Sequence, residues 1–370
     1  MTCNNVIKYL EDWAPKDIAW NKDNVGLQIG STGRKIKNVM LSLDVTENVV
    51  RQAAIKNCNL IITHHPLFFK PLKNINIEYD SRARIVEIIL KNNITLYSAH
   101  TNLDFTKDGV SFSLANKLKL QNIDFLTNLN ENQFKLIVFV PVRSIEKVAN
   151  AIHKAGGGVI GDYTNCSFRI NGSGTFKGSN ATNPVIGKRN RQESVEEIRF
   201  EVLVDSWKIN DVIKMMRAAH PYEEVAYDIY PLKNDNVRYG MGVIGELRNS
   251  MTKKEFLKHV SHNLKLKNFR FSNGRSGKIK KVAVCGGAGM ELLPKAINAS
   301  ADVFITADIK YHSFQDAMGK ILLIDAGHYE TEIWLLDEIE EKLNRFLSKE
   351  SKIKVYKYKG STNPVIFYNN

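Results

Sequence analysis

A chain of 370 residues is too long for one typical core, so two domains or more are expected. With 43% hydrophobic and 25% charged residues the composition is ordinary and globular, which excludes a disordered chain. No apolar run reaches the roughly 18 residues that a membrane-spanning helix needs, so no membrane partner is expected.

The formal net charge of +13 invites a nucleic-acid reading, yet the lysines are spread along the whole chain and no nucleic-acid module is visible. The charge therefore reads first as a solvated basic surface, one that also suits an acidic substrate such as a nucleotide. Cys3, Cys58, Cys166 and Cys285 are scattered and form no CxxC pair, and the N-terminus lacks a basic stretch followed by an apolar one. Buried thiols in a cytoplasmic protein are the expectation.

In chain order, residues 6–13 have helical spacing and stop before Pro15, and residues 20–30 read as an Asn- and Gly-rich loop. Residues 39–44 read as a strand, and Thr46 as the N-cap of the helix holding Val49, Val50 and Ala53. Strands at 60–63 and 95–99 alternate with helices at 81–91 and 110–118, the pattern of a mostly parallel sheet. The period then restarts with strand 134–141 and helix 145–155, followed by a loop from about 171 to 192. Strand 198–204, helix 209–219 and strand 225–230 complete two passes of a ferredoxin-like module, closed by Asn234, Asp235, Asn236 and the glycines Gly240, Gly242 and Gly245. The first architecture resumes with strands at 281–285, 303–306 and 321–325 and a long helix from about 329 to 347. The expected class is thus a split α/β domain (1–131 and 238–370) interrupted by an α+β insert at 132–237.

Three apolar strands end abruptly in metal-ligand chemistry: Thr63-His64-His65-Pro66, Ala99-His100-Thr101-Asn102-Leu103-Asp104 and Gly327-His328-Tyr329-Glu330-Thr331-Glu332. Open α/β sheets bind ligands at the carboxyl ends of their strands, so one shared centre is expected. His64 and His65 would point to opposite faces of a regular strand, but Pro66 takes the chain out of the sheet. His328 and Glu332, four apart, share one face of a helical turn. These N and O donors exceed what one tetrahedral zinc uses and suit two ions with a carboxylate between them. With no cysteine among the donors, zinc or iron leads the candidates, with manganese, cobalt and nickel open. Two such ions roughly 3.5–4 Å apart can hold a bridging hydroxide that attacks an electrophilic centre. His100 is expected to orient a ligand or carry a proton and Glu332 to take part in the chemistry.

Other stretches read less sharply. Cys285-Gly286-Gly287-Ala288-Gly289 is a tight turn or a phosphate cradle, which would put Gly287 in the substrate pocket. Asp308 and His312 could line that pocket, or be a capping aspartate and a surface histidine. His220-Pro221-Tyr222-Glu223-Glu224 reads as a turn-shaping motif, with reach toward another subunit's site as the alternative.

These stretches, together with Asp23-Asn24-Val25-Gly26-Leu27-Gln28 and Asp308-Ile309-Lys310-Tyr311-His312, run in order over nearly the whole chain. In them the sequence resembles the GTP cyclohydrolase 1 type 2 homologues, also described as Nif-three-like dinuclear-metal proteins. The resemblance implies metal ligands at His64, His65, Asp104, His328 and Glu332, with Glu332 bridging. It also implies a PII-like character for the insert, a toroidal homohexamer, and hydrolytic opening of the GTP imidazole ring. Ala307 stands where the family commonly has glycine. Two other functions fit the same residues: a metal-delivery protein without turnover, and a nucleic-acid-binding ring.

Overall fold

The computed structural model describes residues 1–274, 277–350 and 352–368. The chain forms two compact units: Met1–Thr127 with Tyr239–Asn370, and Asn128–Arg238.

The first unit holds two sheets. In one, the strands lie in the order Gly26–Ile29, Thr95–Ser98, Leu60–Thr63, Val39–Ser42, Val355–Lys357. The last four run parallel, and Gly26–Ile29 is antiparallel to its neighbour. The three central strands are buried at every position, because helices cover both faces; hence their continuous apolar runs. Leu41, Leu60, Ile62 and Tyr97 pack with Val6, Leu10, Ile339 and Leu343 of the helices Cys3–Trp13 and Leu335–Phe346. Met40, Ile61 and Leu96 pack on the opposite side with the helices Glu47–Ile55 and Ser81–Lys91. Register places Ser42, Thr63 and Ser98 in one row, so three strands end at the same level.

The other sheet has the order Arg270–Phe271, Leu322–Asp325, Val303–Thr306, Ile279–Val284, Asn236–Met251, Gln121–Leu129. Its three middle strands are parallel, with Thr306 level with Asp325 at their carboxyl ends. A mixed α/β class with mostly parallel sheet centres is thus what the chain adopts.

Helix starts follow their side chains. Thr46 accepts from the Val49 amide at 3.3 Å, and Thr252 with Glu255 forms a reciprocal capping box at the head of Lys253–Leu264.

Several expectations need correction. Part of the loop expected at 20–30 is the edge strand Gly26–Ile29, too short and too exposed on one side to show an apolar run. Gly240, Gly242 and Gly245 do not close the insert; they lie inside the strand Asn236–Met251, where a Cβ on Gly240 would come within 2.5 Å of the Phe125 ring. The long helix expected over 329–347 is two helices, His328–Glu332 and Leu335–Phe346.

The second unit is a four-stranded antiparallel sheet in the order Phe168–Lys177, Gln192–Asp205, Gln133–Pro141, Tyr227–Leu232, with helices Ile145–Lys154 and Ile209–Ala219 on one face. This is the β-α-β-β-α-β order of a ferredoxin-like module. The loop expected from 171 holds its second strand, Phe168–Lys177, whose glycines and polar residues leave no alternation to read.

Candidate metal centre

The carboxyl ends of both sheets of the first unit deliver side chains to one place. Strand Leu60–Thr63 leaves the sheet at His64, and Thr63 Oγ1 donates to the His65 carbonyl at 2.9 Å, which curls the chain. Both imidazoles therefore face the same centre, with ring centroids 5.0 Å apart, instead of pointing to opposite faces. His100 follows strand Thr95–Ser98, and its ring lies 5.2 Å from that of His64. From the other sheet, the turn after Asp325 starts the helix His328–Glu332, which stacks His328 above Glu332.

The donor atoms converge. Glu332 Oε1 lies 3.1 Å from His328 Nε2 and 3.7 Å from His64 Nε2, while its Oε2 lies 3.2 Å from His65 Nε2. Asp104, on the short helix Thr101–Asp104, brings Oδ1 to 3.6 Å from His64 Nε2. Two overlapping groups, His64–His65–His100 and His65–His328–Glu332, each have one donor atom per residue within 4.8 Å of the others.

Each imidazole is aimed by a bond to its other nitrogen. His64 Nδ1 meets the Ala99 carbonyl at 2.9 Å, His65 Nδ1 meets Asp44 at 2.8 Å, His100 Nδ1 meets Asp23 at 2.9 Å, and His328 Nδ1 meets Asp308 at 2.7 Å. Such acceptors fix ring orientation and leave every Nε2 directed inward. Asp308 thus serves His328 from a left-handed backbone (φ 57°), while its neighbour Ala307 has no such strain. Position 307 therefore does not call for glycine's conformational freedom.

The centre asks for positive charge. His64 Nε2, Asp104 Oδ1 and Glu332 Oε2 are buried and make no hydrogen bond among the described residues. Burial opposes ionisation of Glu332, but the neighbouring imidazoles, the charged His328 and His65 above all, outweigh it and hold the carboxyl well below its usual range. Burial, reinforced by the Glu332 charge, pushes Asp104 well above its usual range. Burial pulls His64 down toward the neutral form. His65 and His328 move the other way: against burial, their carboxylate partners raise them to about 10 and about 9. Buried donors left unpartnered around a carboxylate, with protons held on two neighbouring imidazoles, are what a site for divalent cations presents without them. The residues fit such ions.

Gly287 lies behind Glu332 rather than in a phosphate cradle. A Cβ there would come within 2.4 Å of Glu332 Oε1, and its φ of +62° favours glycine. The amides of Gly286, Gly287 and Gly289 are taken by the hydroxyls of Ser111, Thr331 and Thr306. His312 is exposed and bonds Gln315 of its own helix at 3.1 Å, and it is not among the residues lining the cavity beside the centre.

A cavity of about 420 Å³ opens beside His65 and His328, walled by Phe269, Arg270, Tyr329 and Phe367 and edged by Asp44 and Asp308. The C-terminal segment contributes a wall: Thr362 Oγ1 donates to Asp44 and Asn363 Nδ2 to Glu330 at 2.8 Å. Arg270 is paired with Asp325.

Sequence reasoning missed Asp23 and Asp44 as site residues. Asp44 closes an apolar strand just as the histidines do, a signal that was available. Asp23 sits in a loop with no strand before it; its stretch stood out only through the family resemblance, and its bonds to His100 and to Thr101 Oγ1 (2.6 Å) show what it does.

Fold and site define an α/β protein with a clustered His/Glu group able to hold metal. A family profile, Duf34/NIF3 (NGG1p interacting factor 3), matches residues 1–364, and the chain belongs to that family. It is similar to the GTP cyclohydrolase 1 type 2 homolog of Halalkalibacterium halodurans, 40% identical over 344 residues (92% of each chain). The GTP cyclohydrolase 1 type 2 homolog of Bacillus subtilis is 38% identical over 365 residues, 98% of this chain and 97% of that one. Among solved structures, a Bacillus cereus protein related to NIF3 superposes with a TM-score of 0.86 at 38% identity, covering 100% of this chain and 99% of that one. No described helix is long and apolar enough to cross a membrane.

Proposed function

We propose that this chain is a hydrolase that uses two divalent cations, zinc or iron first among them, to act on a nucleotide or a related small molecule. His64, His65, Asp104, His328 and Glu332 would hold the ions, with Glu332 shared between them. The observation that carries this reading is the set of buried, unpartnered donor atoms on His64, Asp104 and Glu332 at the focus of four aimed imidazoles. Bound cations would supply Lewis acidity and lower the pKa of water. The chain's own residues do the rest. His100 is held by Asp23 at Nδ1, its Nε2 has no hydrogen bond among the described residues, and it can take or give a proton there. Phe269, Tyr329 and Phe367 offer apolar walls for a ring in the adjoining cavity. Relatives named GTP cyclohydrolase 1 type 2 homolog point to GTP as the first substrate to try.

The test is purified chain loaded with each candidate metal and incubated with GTP, following formate release and pterin fluorescence. Product should form only with loaded protein and should vanish in Glu332→Ala. A fully loaded chain that forms no product would leave the second reading, metal holding and delivery. That reading draws on His328, whose ring is 37% exposed at the cavity and so open to ligand exchange. Steep loss of single-stranded DNA affinity with salt would instead favour the nucleic-acid reading. We extend the proposal to a PII-like role for the insert and to a homohexamer, which sedimentation velocity tests.

A further inference from the structure

The second unit contains a cavity of its own, of about 600 Å³, within the size range of small-molecule sites. It lies on the face of the four-stranded sheet that carries no helix. In Gln133–Pro141 and Gln192–Asp205 the even-numbered residues (Leu136, Val138, Phe200, Val202) enter the helix-covered core. The odd-numbered Phe139, Glu197 and Arg199 therefore face the cavity floor.

The roof is the segment between strands, 178–191, with Pro184, Val185 and Ile186 over the cavity. Its ends are tied to each other and its middle to the wall: Asn190 donates its amide to the Gly178 carbonyl at 2.7 Å, and Asn183 donates its amide to Glu223 at 2.8 Å. Glu223 belongs to the motif His220-Pro221-Tyr222-Glu223-Glu224, which in this way shapes one wall and anchors the roof. The space is thus framed by specific bonds.

Its chemistry is selective. Phe139, Phe176 and Tyr222 supply flat apolar surface. The Tyr222 hydroxyl is shielded from solvent with no hydrogen bond among the described residues, and burial first, then the neighbouring Glu197 carboxylate, push its pKa up to about 12. The Glu197 carboxylate lies across Gly174, where a Cβ would come within 2.2 Å of its Oε2, and it pairs with no cation among the described residues. Arg199 is engaged by Glu201 at 3.0 Å and Glu223 by the Asn183 amide, which leaves Glu197, Glu224 and Lys177 as the other charged residues of the lining. At Gly172 a Cβ would meet nothing within 4 Å, which leaves backbone open to a ligand's face.

We propose that this cavity is a ligand site, separate from the metal centre, for a small planar aromatic amine or amidine whose N–H edge meets Glu197 while Tyr222 donates to a ring nitrogen. A carboxylate prefers such an edge because two N–H groups can bond it at once.

The probe is 2-aminobenzimidazole, with benzimidazole as the control lacking the amino group, titrated into the full metal-loaded chain by calorimetry and saturation-transfer NMR. Saturable binding of the amine is expected. Glu197→Gln should weaken it roughly ten- to a hundredfold, the worth of a charge-assisted hydrogen bond, with benzimidazole little changed. Gly172→Phe should fill the cavity and abolish binding while metal content stays the same. Tyr222→Phe should leave the melting temperature of the ligand-free chain unchanged or higher, because it removes an unpartnered buried hydroxyl, yet weaken binding about tenfold. A wild-type chain that binds no amine, benzimidazole that binds equally well, or affinity that survives Gly172→Phe would each overturn the proposal. Should Gly172→Phe not fold, Glu197→Gln and Tyr222→Phe decide alone: unchanged affinity in both would overturn it.

Discussion

His328 Nε2 stands 3.3 Å from His65 Nε2, although 263 residues separate them in the chain. The opposite nitrogen of each ring is bonded to a carboxylate, Asp308 for one and Asp44 for the other. Two aimed nitrogens at that distance are placed to face one cation. Asp308→Asn and Asp44→Asn should therefore weaken metal affinity roughly 10- to 100-fold by chelator competition. Affinity equal to wild type in both would show that the carboxylates do not aim ligands.

Glu332 touches three imidazoles, so its loss should be felt more than that of any single ring. Glu332→Ala and His64→Ala should each empty at least one metal position by elemental analysis, with far-UV circular dichroism unchanged. Full retention of metal in either variant would remove that residue from the ligand set.

Protons compete with metal at this centre. The pKa values of about 10 for His65 and about 9 for His328 keep both charged at neutral pH without metal. Loading should then release protons, and affinity should rise with pH toward about 9. For the metal-free chain the sign is opposite. Imidazoles raised on folding stabilise it fully below their ordinary pKa of about 6.5, and that contribution fades as pH climbs through 9–10. Calorimetry in buffers of different ionisation enthalpy counts the protons, and melting curves follow the stability.

Gly287 leaves room for the Glu332 carboxylate and takes a left-handed backbone. Gly287→Ala should cost about 1–3 kcal/mol in urea unfolding from the backbone alone and lower metal content by displacing Glu332. A stable variant with full metal would show that the local structure yields.

His100 and Asp23 form a pair beside the centre, and against the pull of burial the hydrogen bonds from His100, the Thr101 hydroxyl and the Thr101 amide bring Asp23 to about 2. Asp23→Asn should leave the chain loaded while lowering turnover roughly 10²–10⁴-fold, the usual worth of a positioned acid or base. Loss of metal instead would make His100 a ligand.

How far the chain could be read follows from how locally each feature is encoded. Buried parallel strands such as Leu60–Thr63 and Leu322–Asp325 announce themselves as unbroken apolar runs, because both of their faces are covered. Edge strands do not: Gly26–Ile29 and Val355–Lys357 are half-exposed, and Phe168–Lys177 is mostly polar and glycine, so nothing in them repeats with a strand's period.

The residue types at the strand ends, and the four-residue step from His328 to Glu332, are written in the amino-acid order, and they point to side chains that the fold brings together. Which nitrogen of each ring faces inward is decided only when Asp23, Asp44, Asp308 and the Ala99 carbonyl arrive from elsewhere in the fold. The adjacent His64 and His65 share one centre because the backbone curls after Thr63, a tertiary bend that strand periodicity does not foretell. Composition and spacing act over a few residues, whereas hydrogen-bond partners are chosen across the whole folded chain.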